Sequence, residues 1–321
     1  MKKIKTTRNV KIKKVVSNGG KSSVCQNIMW SWAIYVYWFI ILFFIAATFY
    51  IIGRGHEFLS PSNRHVVTEE TLKQAEDYVN EAREKIIIGD IDAAIIDLNA
   101  AIDANATANV YTLRGEAYIQ TGDYQNALND FNSALEIDGM NSVAFYDRAL
   151  LNMRLENYDA ALTDVNNALA AQSMRPMDTL TMRDLYAKRG QLNLWMKNWM
   201  GAIADYTNSL ARAEGSVSAD VYAERAEAYT AIGEYENAVN DYTSAVRVIS
   251  EQIQATPTQE MREAQSSNAM SYLEKSAALN LQLGKYDLAR GDLESAFAIA
   301  NALNDTESME RIQNLINGLN N

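Results

Sequence analysis

The chain has 321 residues, of which 48% are hydrophobic, and it carries a formal net charge of −11 at pH 7. This length suits either two compact domains or one elongated array. The single cysteine, Cys25, excludes an intrachain disulfide, and the acidic balance argues against nucleic acid as a partner.

The N-terminal part of the chain combines a basic tail with an apolar run. Residues 1–27 carry eight Lys or Arg and no acid, and residues 28–52 contain no charged residue at all. A helix over this run, at about 1.5 Å per residue, is longer than the roughly 30 Å of hydrocarbon in a bilayer. A secretory signal peptide is the alternative, but its apolar stretch would be shorter and would end in small residues. The sequence therefore predicts an uncleaved single-pass transmembrane helix over residues 28–52.

Charge is distributed unequally on the two sides of this predicted helix. From Val66 onward there are 19 Lys or Arg against 39 Asp or Glu. The positive-inside rule predicts a cytoplasmic tail over residues 1–27 and an acidic remainder on the other side, periplasmic or lumenal. Residues 53–67 are predicted to form a linker, broken by Ser60, Pro61 and Ser62. Thr68 is a suitable N-cap for the first helix beyond this linker.

Small residues recur at a fixed spacing through the rest of the chain. Two of them lie twelve residues apart in each of six copies, and a third follows seven residues later. Small residues are needed where two helices cross closely, so the spacing predicts six helical hairpins in an all-α solenoid over residues 68–321. The six sets are Ala82, Ala94 and Ala101; Gly115, Ala127 and Ala134; Ala149, Ala161 and Ala168; Gly190, Ala202 and Ser209; Ala226, Ala238 and Ala245; and Ala277, Ala289 and Ala296.

One copy carries a known repeat pattern with particular clarity. The stretch from Tyr111 to Tyr124, with Gly115 and Gly122 inside it, is followed by Ala127, Phe131 and Ala134. This pattern resembles the tetratricopeptide repeat (TPR), and the resemblance extends over roughly residues 75–303. It implies a curved solenoid in which the first helix of each hairpin lines a concave, partner-binding face. A C-terminal cap is predicted from the helical spacing of apolar residues between Glu307 and Leu319.

Charged residues repeat in the same register. An aspartate recurs in all six second helices and an arginine in four first helices, and we interpret them as pairs that join neighbouring helices. An acidic stripe that contacts a partner is the alternative. Glu81 and Ser276 replace the arginine in the first and last hairpins, as is common in terminal repeats. The members are Asp97, Asp130, Asp164, Asp205, Asp241 and Asp292, with Arg114, Arg148, Arg189 and Arg225.

Two insertions interrupt the period. The first small residues of successive sets are 41 positions apart from Ala149 to Gly190 and 51 apart from Ala226 to Ala277, whereas the first two intervals are 33 and 34. The extra residues fall near 173–178 and 248–267. They predict either lengthened helices or partner-facing loops.

The sequence shows no constellation for catalysis or for metal binding. Both histidines, His56 and His65, lie in the predicted linker, so we expect no enzyme, no cofactor and no metal site. The candidate sites are instead first-helix positions that the resemblance places on the concave face. They are Arg83, Thr112, Glu116, Tyr146, Leu150, Met153, Arg154, Gln191, Trp195, Asp220, Glu227 and Glu274.

These residue types indicate what would bind. An apolar middle formed by Tyr146, Leu150, Met153 and Trp195, followed by an acidic C-terminal half, favours a protein or peptide with an apolar anchor and basic residues. Some proteins of this repeat class clamp a chaperone's C-terminal carboxylate with basic residues and asparagines. The matching positions here carry residues such as Thr112 and Glu116, which argues against such a clamp.

The sequence thus predicts a membrane-anchored protein–protein interaction scaffold in a membrane or envelope complex. An organelle import or targeting receptor is one alternative, because such receptors join an N-terminal anchor to similar repeats. An accessory subunit of a membrane enzyme complex, acting through residues 28–52, is the other.

Overall fold

A computed structural model describes residues 68–176, 181–212, 218–256 and 258–319. The predicted tail, transmembrane helix and linker, residues 1–67, lie outside these ranges. Within the described ranges, no helix combines the length and the apolar character that a membrane crossing requires.

Thirteen α-helices occupy the described residues, which contain no strand. They form six consecutive hairpins and a final single helix, as the spacing of small residues predicts. The hairpins are α1 (Glu69–Ile88) with α2 (Ile91–Ala104), α3 (Ala108–Thr121) with α4 (Tyr124–Ile137), α5 (Ser142–Arg154) with α6 (Tyr158–Met174), α7 (Met182–Trp195) with α8 (Trp199–Leu210), α9 (Ala219–Ala231) with α10 (Tyr235–Gln252), and α11 (Gln259–Gln282) with α12 (Tyr286–Ala302); α13 (Thr306–Gly318) follows.

Local sequence signals set the ends of these helices. The Thr68 hydroxyl accepts a hydrogen bond from the backbone N–H of Thr71 at 3.2 Å, so Thr68 caps α1 as predicted. The turn inside the second hairpin places Gly122 at φ 82°, a left-handed conformation that glycine adopts without a steric penalty. The corresponding turns of the third and fourth hairpins use Glu156 at φ 61° and Lys197 at φ 59°. These two turns therefore adopt the same left-handed conformation without glycine.

The core lies between the two helices of each hairpin, where a small residue faces a large one. A Cβ atom at Gly115 would lie 2.7 Å from the Phe131 ring, and one at Gly190 would lie 2.8 Å from the Tyr206 ring. Both rings are fully buried. The repeated small residues are thus a requirement of close helix packing, as the sequence predicts.

Lengthened helices take up the second insertion and part of the first. The insertion at residues 248–267 falls within α10, which has 18 residues, and α11, which has 24, and the short 3₁₀ turn Ile253–Ala255 follows α10. Residue 257 lies outside the described ranges. α6 extends to Met174, and Arg175 just beyond it pairs with Asp138 of the preceding hairpin. Residues 177–180 lie outside the described ranges.

The final helix covers the end of the last hairpin. Ile312 of α13 is fully buried, and Met309 and Ile316 pack against the cluster that includes Leu293. The predicted amphipathic cap is therefore present, and it extends the core by one helix.

Candidate partner-binding face

The repeated aspartates are buried and paired with arginine, as the sequence predicts. Arg114 donates from Nε and Nη2 to Asp130 at 2.8 and 2.6 Å, and Arg148 reaches Asp164 in the same way at 3.0 and 2.6 Å. Arg189 with Asp205 and Arg225 with Asp241 complete the series. Since the four aspartates are 3–5% exposed, they stabilise the array and are not a surface stripe for a partner.

The terminal hairpins satisfy the equivalent aspartates differently. In the first hairpin Lys85, one helical turn after Glu81, donates to Asp97. In the sixth, the Ser276 hydroxyl and the Asn280 amide donate to Asp292 at 2.8 and 2.9 Å. The aspartate is thus always paired, whether or not arginine is present.

The surface contributed by α1, α3, α5, α7, α9 and α11 is called the first-helix face below. The twelve predicted site residues all belong to these helices but differ in exposure. Thr112 and Met153 are buried, and the Thr112 hydroxyl donates to the backbone oxygen of Ala108 at 2.9 Å. Half-buried are Glu116, Tyr146, Leu150, Gln191 and Glu274; exposed are Arg83, Arg154, Trp195, Asp220 and Glu227.

The predicted apolar middle lies partly inside the array. Leu150 and Tyr146 pack against the same buried cluster that contains Met153. Trp195 is 45% exposed at the end of α7, with its ring edge-on to Tyr158 at a centroid distance of 5.6 Å. Of the four residues, Trp195 offers the largest open apolar surface to a partner.

The acids of the C-terminal half have partners within the chain. Lys275 donates to Glu227 at 2.7 Å, and Arg311 of α13 donates to Glu274 at 2.7 Å. The Tyr272 hydroxyl donates to Asp220 at 3.3 Å. This part of the face is therefore more nearly neutral than the candidate residues alone indicate. Lys275 belongs to the face and Arg311 adjoins it, although the sequence reasoning selected neither residue.

A contact in one register recurs at three of the junctions between successive first helices on this face. The residue just after the small residue of one first helix, such as Gly190, meets the residue two positions before the small residue of the next first helix, such as Ala226. Gln191 donates to Glu224 at 3.0 Å in this register, and the Glu227 pair with Lys275 repeats it. At the second and third hairpins the same register brings together Glu116 and Asp147.

Two carboxyl groups therefore meet between α3 and α5. Burial and the neighbouring Glu116 raise the pKa of Asp147 to about 8. Burial also raises the pKa of Glu116, against the opposing effects of its hydrogen bond with Asp147 and of the Arg83 charge. The Oδ2 atom of Asp147 is buried, and no donor from the described residues reaches it. The spacing of repeats could have identified this pair, because the register is constant.

The first-helix face carries several open cavities, including one near its N-terminal end and one near its C-terminal end. One, of about 270 Å³, is lined by Arg83, Asn109, Thr112, Glu116 and Asn141, among others. The other, of about 430 Å³, lies between α9 and α11 and is lined by Glu227, Ala231, Tyr242, Lys275, Ala278 and Leu279. Each can accept side chains of a partner, since each is open to solvent and is lined by both apolar and charged residues.

A metal centre has no ligand set in this part of the protein. The described residues contain no group of three or more His, Cys, Asp or Glu side chains placed to hold a metal ion. The chemistry that this face offers is recognition by hydrogen bonds, ion pairs and apolar contact.

Comparison with known proteins supports the repeat assignment. Residues 108–141 and residues 219–251 each match the Tetratricopeptide repeat family. The chain is 34% identical to Serine/threonine-protein phosphatase 5 of Rattus norvegicus over 113 residues, which are 35% of this chain and 23% of the relative. It is 31% identical to Tetratricopeptide repeat protein 12 of Mus musculus over 121 residues, 35% of this chain and 17% of the relative. The chain thus spans less than a quarter of either relative.

Solved structures share the fold at lower identity. The pilF protein of Pseudomonas aeruginosa superposes with a TM-score of 0.55 at 15% identity, over 76% of this chain and 99% of that protein. YrrB, described as a TPR protein with an unusual peptide-binding site, gives a TM-score of 0.52 at 15% identity, over 68% and 97%. At these identities the similarity shows the fold alone. The two family matches and the repeated hairpins together show that the described part of the chain is an all-helical TPR solenoid.

Proposed function

We propose that this protein is a protein–protein interaction scaffold that binds a segment of a partner on its first-helix face. The observation that carries the proposal is the contrast between a fixed interior and an open face. The Arg–Asp pairs and the buried small–large contacts fix the hairpins, while the two cavities and the exposed Trp195 remain accessible on one face. A preformed surface of this kind binds at a small cost in ordering.

The partner in this proposal is a peptide or helix with an apolar anchor and basic residues. The cavity of about 430 Å³ beside Ala278 and Tyr242 has room for one large apolar side chain. Exposed acids of the first helices, such as Asp220, give basic residues a complementary charge. Binding, and not catalysis, is the function that these groups support.

Site-specific photo-crosslinking of the full chain in its native cells tests this proposal. A photoreactive residue at Trp195 or Glu227 should capture a discrete partner. The matched control is Ala204, which is exposed on α8, a second helix. Equal capture from Ala204, or no discrete product from either first-helix position, would refute the proposed face.

We also propose that residues 28–52 anchor the scaffold in a membrane, with residues 1–27 in the cytoplasm and the solenoid on the other side. The uncharged run and the basic tail support this proposal. An anchor raises the local concentration of the scaffold at one membrane surface, which suits assembly of an envelope complex. Protease added to cells stripped of any outer barrier should cut the solenoid and spare the tail. Cutting only after permeabilisation would place the solenoid in the cytoplasm and favour a targeting receptor.

An accessory role in a membrane enzyme complex makes a different prediction for the same protein. Association would depend on residues 28–52 and would survive removal of the solenoid. Replacing residues 28–52 with an unrelated apolar helix therefore separates the two functions: a scaffold retains the partner captured at the first-helix face, whereas an accessory subunit loses its complex.

A further inference from the structure

The contact between Glu116 and Asp147 keeps the register of other contacts between successive first helices but differs from them in its chemistry. At the equivalent positions further along the chain, Gln191 donates to Glu224 and Lys275 donates to Glu227. Each of those contacts pairs an acceptor with a donor. Glu116 and Asp147 are both acids, so the same close approach lacks a donor unless one carboxyl group is protonated.

The surroundings of the pair leave little other compensation. Arg83 of α1 is the positive group whose charge acts on Glu116. Tyr146, the residue before Asp147 in α5, is within range of the charges of both Asp147 and Asp184 of α7, and Asp184 accepts hydrogen bonds from Arg183 at 3.1 and 3.2 Å. Arg148, the next residue after Asp147, is engaged with Asp164. No donor among the described residues reaches Asp147 Oδ2.

We propose that Glu116 and Asp147 form a proton-dependent joint between the second and third hairpins, in which one shared proton holds the two carboxyl groups together and its loss loosens the contact between α3 and α5. The proton sits between an oxygen of Asp147 and an oxygen of Glu116, so that one carboxyl donates and the other accepts. When it leaves for solvent, two negative charges remain in a largely buried contact. The joint does not depend on the identity of any partner.

The position of the joint gives it a consequence for the first-helix face. Glu116 lines the cavity of about 270 Å³ together with Arg83 of α1 and Asn141, which precedes α5. Loosening the α3–α5 contact therefore changes the walls of this cavity. The arrangement makes the N-terminal part of the face sensitive to pH, while the Lys275 contact near the C-terminal end has no shared proton to lose.

The direction of the pH effect follows from linkage. The pKa of Asp147 is raised to about 8 in the folded protein, against about 3.9 for an unperturbed aspartate. The pair's contribution to stability is therefore fully present below about pH 4 and is lost as the pH rises towards 8. Because the folded state binds one more proton than the unfolded state in this window, each rise of one pH unit lowers the folding equilibrium constant about tenfold.

Urea unfolding of the full chain between pH 5 and 8, compared among variants, tests the joint. Relative to the wild type, Asp147→Asn should remove the tenfold-per-unit decline, because its amide donates to Glu116 without titrating. The matched control is Glu227→Gln, which changes the equivalent of Glu116 at the Lys275 contact and should keep the wild-type slope. An Asp147→Asn variant with the wild-type slope would overturn the proposal.

Amide hydrogen exchange localises the effect and covers the case in which Asp147→Asn does not fold. After correction for the intrinsic pH dependence of exchange, protection in α3 and α5 should fall between pH 6 and 9 more than protection in α9 and α11. Glu116→Gln, whose amide donates to Asp147, should abolish this difference. Equal loss of protection in both regions, or a difference that persists in Glu116→Gln, refutes the joint.

Discussion

The guanidinium of Arg189 joins three helices through two neighbours. Its Nε and Nη2 atoms donate to both carboxylate oxygens of Asp205 in α8, at 2.9 and 2.6 Å, and its Nη1 donates to Asn166 in α6 at 2.8 Å. The first contact closes the fourth hairpin, and the second fastens it to the third. Hydrogen bonds to a planar, charged fork are both strong and directional, so this pair fixes the angle between hairpins as well as holding them together.

Removing the carboxylate should therefore destabilise the array. We expect Asp205→Ala to lower the free energy of unfolding by about 3 kcal/mol, because it leaves a partly buried guanidinium without its counter-charge. Urea unfolding followed by circular dichroism measures the loss. Arg247→Ala is the control, since Arg247 and Glu251 form an exposed pair within α10, and its effect should stay within about 0.5 kcal/mol. Equal effects of the two substitutions would contradict a special role for the buried pairs.

The close approach of Gly115 to Phe131 predicts the cost of a single methyl group. Gly115→Ala places a Cβ 2.7 Å from the Phe131 ring, which must move within a packed core. Alanine stabilises a helix by about 1 kcal/mol relative to glycine. We nevertheless expect Gly115→Ala to lower the free energy of unfolding by about 1 kcal/mol, because the steric cost is about twice the helix-forming gain. Gly139→Ala is the comparison, because its nearest neighbour, the Leu135 backbone oxygen, is 3.7 Å away. A Gly115→Ala variant as stable as Gly139→Ala would show that the ring moves freely.

The turn at Lys197 offers a gain in stability instead of a loss. Lys197 adopts φ 59° at the position where four other hairpins carry glycine. A left-handed conformation costs a non-glycine residue about 1 kcal/mol. Lys197→Gly removes this cost, and the greater conformational entropy of glycine in the unfolded chain cancels only part of the gain in stability. We expect Lys197→Gly to raise the thermal midpoint, measured by differential scanning calorimetry. Lys197→Ala removes the same side chain but keeps the strain, so it should not share the increase; a rise in both would point to the lost charge as the cause.

Repetition explains why so much of this fold is predictable from sequence. The small residue at Gly190 and the ring at Tyr206 face each other because every hairpin repeats the same crossing. The buried pairs follow from the same register, since Arg189 and Asp205 recur at equivalent positions in three other hairpins. A periodic sequence specifies each contact several times, so a single irregular copy does not obscure it.

Features that occur once are less accessible to that reasoning. Alignment of the arginines alone points to Glu81, but Lys85 pairs with Asp97 from one turn further along. Asn152, Asn193 and Asn280 donate to their aspartates from this same repeat position, where a lysine occurs once. Arg311, the partner of Glu274, comes from the final helix, which follows the last repeat, whereas Lys275 follows the register that also joins Gln191 to Glu224. The lengths of α10 and α11 likewise decide between lengthened helices and a partner-facing loop for the insertion near residues 248–267. The pairing by Arg311 and the lengths of α10 and α11 belong to parts of the chain that the repeat pattern does not encode.

The first hairpin allows a test of whether position or charge defines the buried pair. Lys85→Met should lower the urea midpoint, because Asp97, 8% exposed, loses its only positive partner among the described residues. Adding Glu81→Arg restores an arginine at the position that pairs with the aspartate in four other hairpins, and it should recover most of the lost midpoint. Glu81→Arg alone should have little effect, since Lys85 already occupies Asp97. If the double variant is no more stable than Lys85→Met, then the path of α1 differs from that of the other first helices, and the first hairpin departs from the repeat in geometry as well as in sequence.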